Sequence, residues 1–230
     1  MTGDRVELRS AASPTKVLLA TRNDAKLIEL REIVAGFGLE VVGLNEVPEF
    51  PEKPETGATF AENSLAKARD ACAATGMIAV ADDSGLAVDA LNGMPGVLSA
   101  RWSGSSGDRR EKDAKNLALV LDQMADVPEE RRGAAFVCAA AAVHPDGREI
   151  VVTERWPGRL IRTSRGINGF GYDPAFVPDG GSRTSAEMSP EEKNAVSHRA
   201  RAFRALAPEL RTLVGDAPSS GDDARRSSTS

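Results

Sequence analysis

Cysteine is scarce: Cys72 and Cys138 are the only two in 230 residues, and each sits inside an apolar segment. Both read as reduced, buried small hydrophobes, which excludes a disulfide scaffold or a cysteine metal site and suits a cytoplasmic protein. No apolar run approaches the roughly 18–20 residues that a membrane span needs, so no membrane partner is expected. The first 16 residues mix charges with Ser and Ala and lack the apolar core of a secretory signal. Basic residues are not in excess either. The formal net charge is −5, which argues against nucleic acid as a partner. An anionic ligand must then be met by a local cluster of cations. What remains is ordinary for a globular protein, with 41% hydrophobic and 27% charged residues. Residues 1–14 read as a loose, disordered extension and 214–230 as a disordered tail of Ser, Asp, Arg and Gly. Between them, 15–213 reads as one α/β domain.

The most informative stretch is Ala81-Asp82-Asp83-Ser84-Gly85-Leu86. The apolar residues Met77 to Ala81 lead into it after Gly76, so it reads as a short buried strand ending on two carboxylates and a hydroxyl. Strand ends in α/β proteins open onto ligand crevices. Two adjacent acids repel each other, and Mg²⁺, which prefers carboxylate oxygens, water and phosphates, is a natural compensating cation. An Asx-type turn would use the same residues.

Upstream, Val17-Leu18-Leu19-Ala20 forms a first strand, and Leu27, Leu30, Ile33, Val34 and Phe37 recur at helical spacing. The turn between them, Thr21 to Lys26, would lie at a helix N-terminus, where free N–H groups and the dipole favour phosphate. It is not a Walker loop, because the required glycines are absent. The proline-rich segment 48–57 is a loop, and a helix follows from Thr59 to Thr75 with Gly76 as its cap. A helix with an apolar stripe from Ala114 to Ala125 reads as structural. The runs 134–143 and 148–156 around Pro145-Asp146-Gly147 read as an antiparallel hairpin, which makes the sheet mixed.

Gly166 to Pro178 brings glycines around Phe170, an arrangement that lets backbone approach a ligand while the ring stacks on a flat base. A Gly-rich turn over a core Phe would read the same. Ser189-Pro190-Glu191-Glu192 is a capping box. Lys193 and His198 would lie about 140° apart on one straight helix of ~3.6 residues per turn. Because Ser197 is a good cap, a short helix, a break and a second helix through about Leu206 are expected. Together the stretches supply a phosphate-binding turn, an acid pair, a stacking aromatic and a Lys/His/Arg cluster: a nucleoside triphosphate site in a cleft between two lobes.

Five motifs occur in a characteristic order: Thr21-x-Asn23-x-x-Lys26, Glu55-Thr56-Gly57-x-Thr59-Phe60-x-Glu62-Asn63, Ala81 to Leu86, Gly169-Phe170-Gly171-Tyr172-Asp173-Pro174 and Ser197-His198-Arg199. Over nearly everything but the two tails the chain resembles the inosine triphosphate pyrophosphatase family, house-cleaning enzymes that hydrolyse ITP, dITP and XTP to monophosphates. The resemblance implies a Mg²⁺-dependent homodimer with an α/β fold, a mixed twisted sheet flanked by helices. It places the phosphate grip on Thr21, Arg22, Asn23, Asp24, Ala25 and Lys26, and the general base or metal ligand on Asp83. Substrate contacts would fall on Ser84, Phe170, Gly171, Tyr172, Asp173, Lys193, His198 and Arg199. Arg22 stands where many relatives have glycine. Glu49 resembles the second metal ligand of some relatives, and Glu62 competes with it. Attack at the α-phosphorus would release pyrophosphate, with Lys26 and Lys193 steadying it. A pyrophosphatase for modified pyrimidine nucleotides and a non-catalytic nucleotide sensor are the alternatives.

Overall fold

The computed structural model describes residues 15–22, 24–35, 39–104 and 107–215. The expected extension over 1–14 and all but the first two residues of the expected tail lie outside the described residues. Six strands form one mixed sheet in the order β2-β1-β3-β4-β5-β6. In chain order, β1 (Thr15–Leu19), α1 (Asp24–Val34) and β2 (Leu39–Gly43) form a parallel unit, with β1 between β2 and β3. Then come α2 (Phe60–Thr75), β3 (Ile78–Val88), α3 (Arg109–Gln123) and the hairpin β4 (Gly133–Val143) and β5 (Glu149–Leu160). The short β6 (Phe176–Pro178), α4 (Pro190–Val196) and α5 (His198–Gly215) complete the chain.

Local chemistry accounts for the helix ends. The Thr59 side chain accepts a hydrogen bond from the Glu62 amide, and Gly76 closes α2 at φ 69°, a left-handed conformation that only glycine takes without strain. Ser189 caps α4, and Ser197, extended at ψ 158°, ends that helix while its hydroxyl accepts from the Ala200 amide at the start of α5. The break expected before His198 is therefore present. Helix α5 runs further than expected, past Leu206 and through Pro208 to Gly215. An interior proline costs about 3 kcal/mol, but Phe203, Leu206, Leu210 and Leu213 are all buried in one stripe against β4, β5 and α1. Burial at roughly 1.5–3 kcal/mol per large apolar side chain outweighs that cost.

The core lies in three clusters. One joins α1 and α5 to a face of the sheet, the second packs α2 on the opposite face, and the third fills the far half of β3–β5 under α3 and β6. The long strands β3, β4 and β5 thus carry two lobes.

Candidate active site

Strand β3 does not end at the acid pair. It pairs with β4 along ten residues, from Ala79 opposite Val143 to Val88 opposite Ala134, because β4 is buried almost throughout and supplies a continuous ladder. What ends is its other neighbour: β1 stops at Leu19, opposite Val80. From there to the bridge between Ala87 and Pro95, that edge of β3 has no strand beside it among the described residues. The residues expected at a strand end sit instead on a strand edge that no strand covers, closed at Leu86 by Ser99, whose hydroxyl accepts the Leu86 amide at 2.9 Å.

Side chains of successive strand residues point to opposite faces. Asp83 therefore faces α2 and Asp82 faces α5. Alternation separates them, with Lys67 beside Asp83 and Arg199 beside Asp82, so the two carboxylates do not stand side by side on one face.

On the α2 face, the Asn63 amide donates to Asp83 Oδ2 at 2.9 Å, and Lys67 Nζ lies 3.6 Å from Asp83 Oδ1. Asn63 is itself fixed, because its carbonyl accepts the Gly57 amide at 2.8 Å. Lys67 also donates to Glu55 at 2.8 Å, and Arg101 reaches the other Glu55 oxygen at 3.4 Å. Burial pushes the Asp83 carboxyl above the usual carboxylate range, outweighing Lys67 and Asn63. Burial acts the same way on Glu55, but Lys67 and Arg101 more than offset it and hold Glu55 low. For Lys67, burial works against the charge and Asp83 and Glu55 prevail, so its ammonium stays charged. A cation is thus already favoured between Glu55 and Asp83. Oxygen donors of this kind fit a hard divalent ion that completes its shell with water and phosphate. Among the described residues no group of three His, Cys, Asp or Glu comes together, so such an ion would rely on ligand oxygens.

On the α5 face, Arg199 Nε lies 3.4 Å from buried Asp82 Oδ2, and its Nη2 donates to Ser84 Oγ at 3.2 Å. His198 is buried and stacked on Phe136, with ring centroids 5.0 Å apart and planes 15° from parallel. The helix break turns Lys193 of α4 and His198 of α5 into the same cavity.

Asp173 organises the glycine-rich loop. Buried, it accepts the Phe170 amide at 2.8 Å and the Ser185 hydroxyl at 2.8 Å, and pairs with Lys193 at 2.5 Å. Phe170 is held by its backbone while its ring stays 45% exposed. Lys193 Nζ and Arg109 Cζ lie 5.1 and 4.9 Å from the ring centroid. The buried Tyr172 donates its hydroxyl to the Ser99 carbonyl at 2.8 Å, and burial pushes its phenol above the ordinary value, so it stays protonated. Its role is to pin the loop.

Two cavities meet β3. One, about 570 Å³, runs past Thr21, Arg22, Glu55, Asn63 and Lys67 to Asp82. The other, about 380 Å³, runs from Ser84 to Phe136, Phe170, Lys193 and His198. The structure therefore brings Asp83, Ser84, Phe170, Gly171, Tyr172, Asp173, Lys193, His198 and Arg199 to one strand edge and its two flanks. Lys193 belongs with Phe170 rather than with the Thr21 turn. Asn23 and the side chains of Asp24, Ala25 and Lys26 lie outside the described residues. Arg22 pairs with Glu52 at 2.5 Å. The Glu49 side chain is 89% exposed and 4.0 Å from Arg22, on the wall of a third cavity that shares Thr21, Arg22 and Glu52 with the 570 Å³ one. Glu62 accepts the Ala58 amide at 2.7 Å at the start of α2. Glu55, Lys67, Arg109 and Asp113 were not singled out from the sequence. Lys67 had a signal, since it follows Asn63 by four residues on the same helix face. Arg109 opens, and Asp113 follows one turn later on, a helix read only for its apolar stripe.

Comparison with known proteins follows the same outline. A profile described as the Ham1 family matches residues 17–209. The dITP/XTP pyrophosphatase of Mycobacteroides abscessus is 59% identical over 202 residues, covering 86% of this chain and 96% of the relative. That of Nocardia farcinica is 61% identical over 202 residues, with the same coverage of 86% and 96%. A crystal structure of nucleoside-triphosphatase / dITP/XTP pyrophosphatase from Mycobacterium abscessus superposes with a TM-score of 0.71 at 60% identity, covering 84% of this chain and 100% of that one. A HAM1 protein from Coxiella burnetii gives 0.75 at 37% identity, covering 88% and 100%.

Proposed function

The chain belongs to the Ham1 family, and on that premise we propose that it is a nucleoside triphosphate pyrophosphohydrolase. Its substrates would be XTP, dITP and ITP, converted to the monophosphate and pyrophosphate with Mg²⁺. The observation that carries this reading is the uncovered edge of β3. There a cavity lined by Lys67, Glu55 and Thr21 reaches Asp82, and one lined by Phe170, Lys193 and His198 reaches Ser84 two residues on, a phosphate end and a base end on one strand. Asp83 and Glu55 are the carboxylates that would hold the metal, which when bound neutralises charge on the phosphate oxygens. Asp83, held by Asn63 and beside Lys67, would orient the attacking water and take its proton. Lys67, fixed by two carboxylates, would add positive charge where negative charge develops on the α-phosphate. Phe170 would stack on the base. His198 and Arg199, from the first turn of α5, would offer donors to a 6-oxo group, which adenine's 6-amino group leaves unpaired. The phosphate grip of Thr21 to Lys26 remains part of this proposal. On the motif resemblance we further propose a cytoplasmic homodimer, whose mass sedimentation equilibrium would report.

The test is incubation with XTP, dITP, ITP, GTP and ATP in the presence of Mg²⁺, with pyrophosphate and orthophosphate assayed separately. Pyrophosphate should form from the first three at least about 100-fold faster than from ATP, the discrimination that unpaired buried donors supply. Orthophosphate as the product, or ATP turned over as fast as XTP, contradicts the proposal. Tight binding without any product would make the protein a sensor.

A further inference from the structure

Of the cations lining the Phe170 cavity, two are already balanced: Lys193 by Asp173 and Arg199 by Asp82. The other two, Arg109 and Lys112, stand one turn apart on α3, and among the described residues neither forms an ion pair. Asp113, the carboxylate that α3 adds to this cavity, accepts the Gly171 amide at 3.2 Å. The cavity-facing part of α3 thus holds two cations against one acid. Arg109 also occupies the first turn of its helix, where the macrodipole favours acids over bases. A cation there does not serve helix stability. Its guanidinium carbon lies over the Phe170 ring, 4.9 Å from the ring centre, so a base entering there meets the guanidinium and the ring together.

We propose that this positive excess selects an anionic base, and that Arg109 is the residue that makes the site prefer xanthine to hypoxanthine. The inference rests on reading the Phe170 cavity as the base site. Xanthine, with oxo groups at both C2 and C6, loses a ring proton near neutral pH, whereas hypoxanthine keeps its own until distinctly alkaline solution. Both present the same 6-oxo group to His198 and Arg199, so the charge and the 2-oxo group are what distinguish them. The guanidinium answers both, as a planar donor fork and a permanent cation. Lys112, Asp113, Asp173, Lys193 and His198 also face the cavity, and their charges too act more on an anionic base than on a neutral one, so loss of the pH-dependent rise in Arg109→Ala is what assigns it to Arg109.

Calorimetric binding of XMP and IMP across the ionisation of xanthine tests this without requiring turnover. In the unmodified protein the XMP-to-IMP affinity ratio should rise roughly fivefold as pH increases, the size of one partly solvated charge contact. Arg109→Lys should keep most of the rise, and Arg109→Ala should abolish it. A ratio that stays flat in the unmodified protein, or one that rises fully in Arg109→Ala, overturns the inference. So does an Arg109→Ala variant that loses XMP and IMP affinity equally at every pH, because the side chain would then hold the phosphate. These outcomes are independent of whether pyrophosphate is released, which is what decides the functional proposal.

Discussion

Asp83→Asn should lower kcat by about 1,000-fold, within the 10²–10⁴ range that a positioned general base contributes, while the protein stays folded and still binds nucleotide. The substitution keeps the side-chain size and one acceptor for the Asn63 amide, but removes the carboxylate that contacts both Asn63 and Lys67 and can take a proton. The protonation behaviour behind this prediction is separately measurable. In the metal-free protein, the Asp83 carboxyl should titrate above the usual aspartate range, because burial disfavours its charge. Lys67 favours that charge and Glu55 opposes it. Lys67→Met should therefore move the titration further up, and Glu55→Gln should move it down. Carboxyl-carbon NMR of the three proteins reads these directions. Equal titrations in all three, or turnover within tenfold of normal in Asp83→Asn, would remove Asp83 from the chemistry.

The largest stability effect is expected far from the cleft, at Arg132. This residue is only 1% exposed, and among the described residues no carboxylate pairs with it. Its partners are backbone carbonyls: Leu160 at 2.8 Å, Met124 at 2.5 Å and Val127 at 3.4 Å. Met124 is the C-cap of α3 and Leu160 is the last residue of β5. The guanidinium thus sits at the negative end of a helix and ties it to the sheet. Burial is the main force pulling its pKa below the ordinary value, yet the charge-assisted hydrogen bonds keep it ionised. Arg132→Ala leaves buried carbonyls unpaired and opens a cavity beside Met124, Val127 and Leu160, at a cost of about 3–5 kcal/mol. For a domain of this size that is roughly 10 °C in Tm by scanning calorimetry. Arg132→Lys, which keeps the charge but cannot reach all three carbonyls, should lie between. A change within about 2 °C for the alanine variant would show that the carbonyls find other partners.

How much of this was legible in the residues follows from the range of the forces involved. Thr59 and Gly76 around α2, and Ser197 between α4 and α5, mark local hydrogen bonds over three or four residues, and they fell where expected. The grouping of Phe170, Lys193 and His198 was also legible, because glycines and a helix break announce a site without tertiary detail. The end of β3 was misplaced because apolar lead-in residues suggested a boundary that pairing with β4 overrides. Once the strand runs on, alternation alone sends Asp82 and Asp83 to opposite faces. Glu55 could not be told from Glu49 because the proline-rich loop has no periodicity. What separates them is a contact across twelve residues, Glu55 with Lys67. Arg132 gave no signal, since its partners are main-chain oxygens brought together by the fold.

The central claim is that water attacks the α-phosphorus at the bare edge of β3. Hydrolysis of XTP in heavy-oxygen water, with mass spectrometry of both products, tests it most directly. The account predicts one heavy oxygen in XMP and none in pyrophosphate. Label in pyrophosphate or in orthophosphate would place the attack on another phosphorus and contradict it.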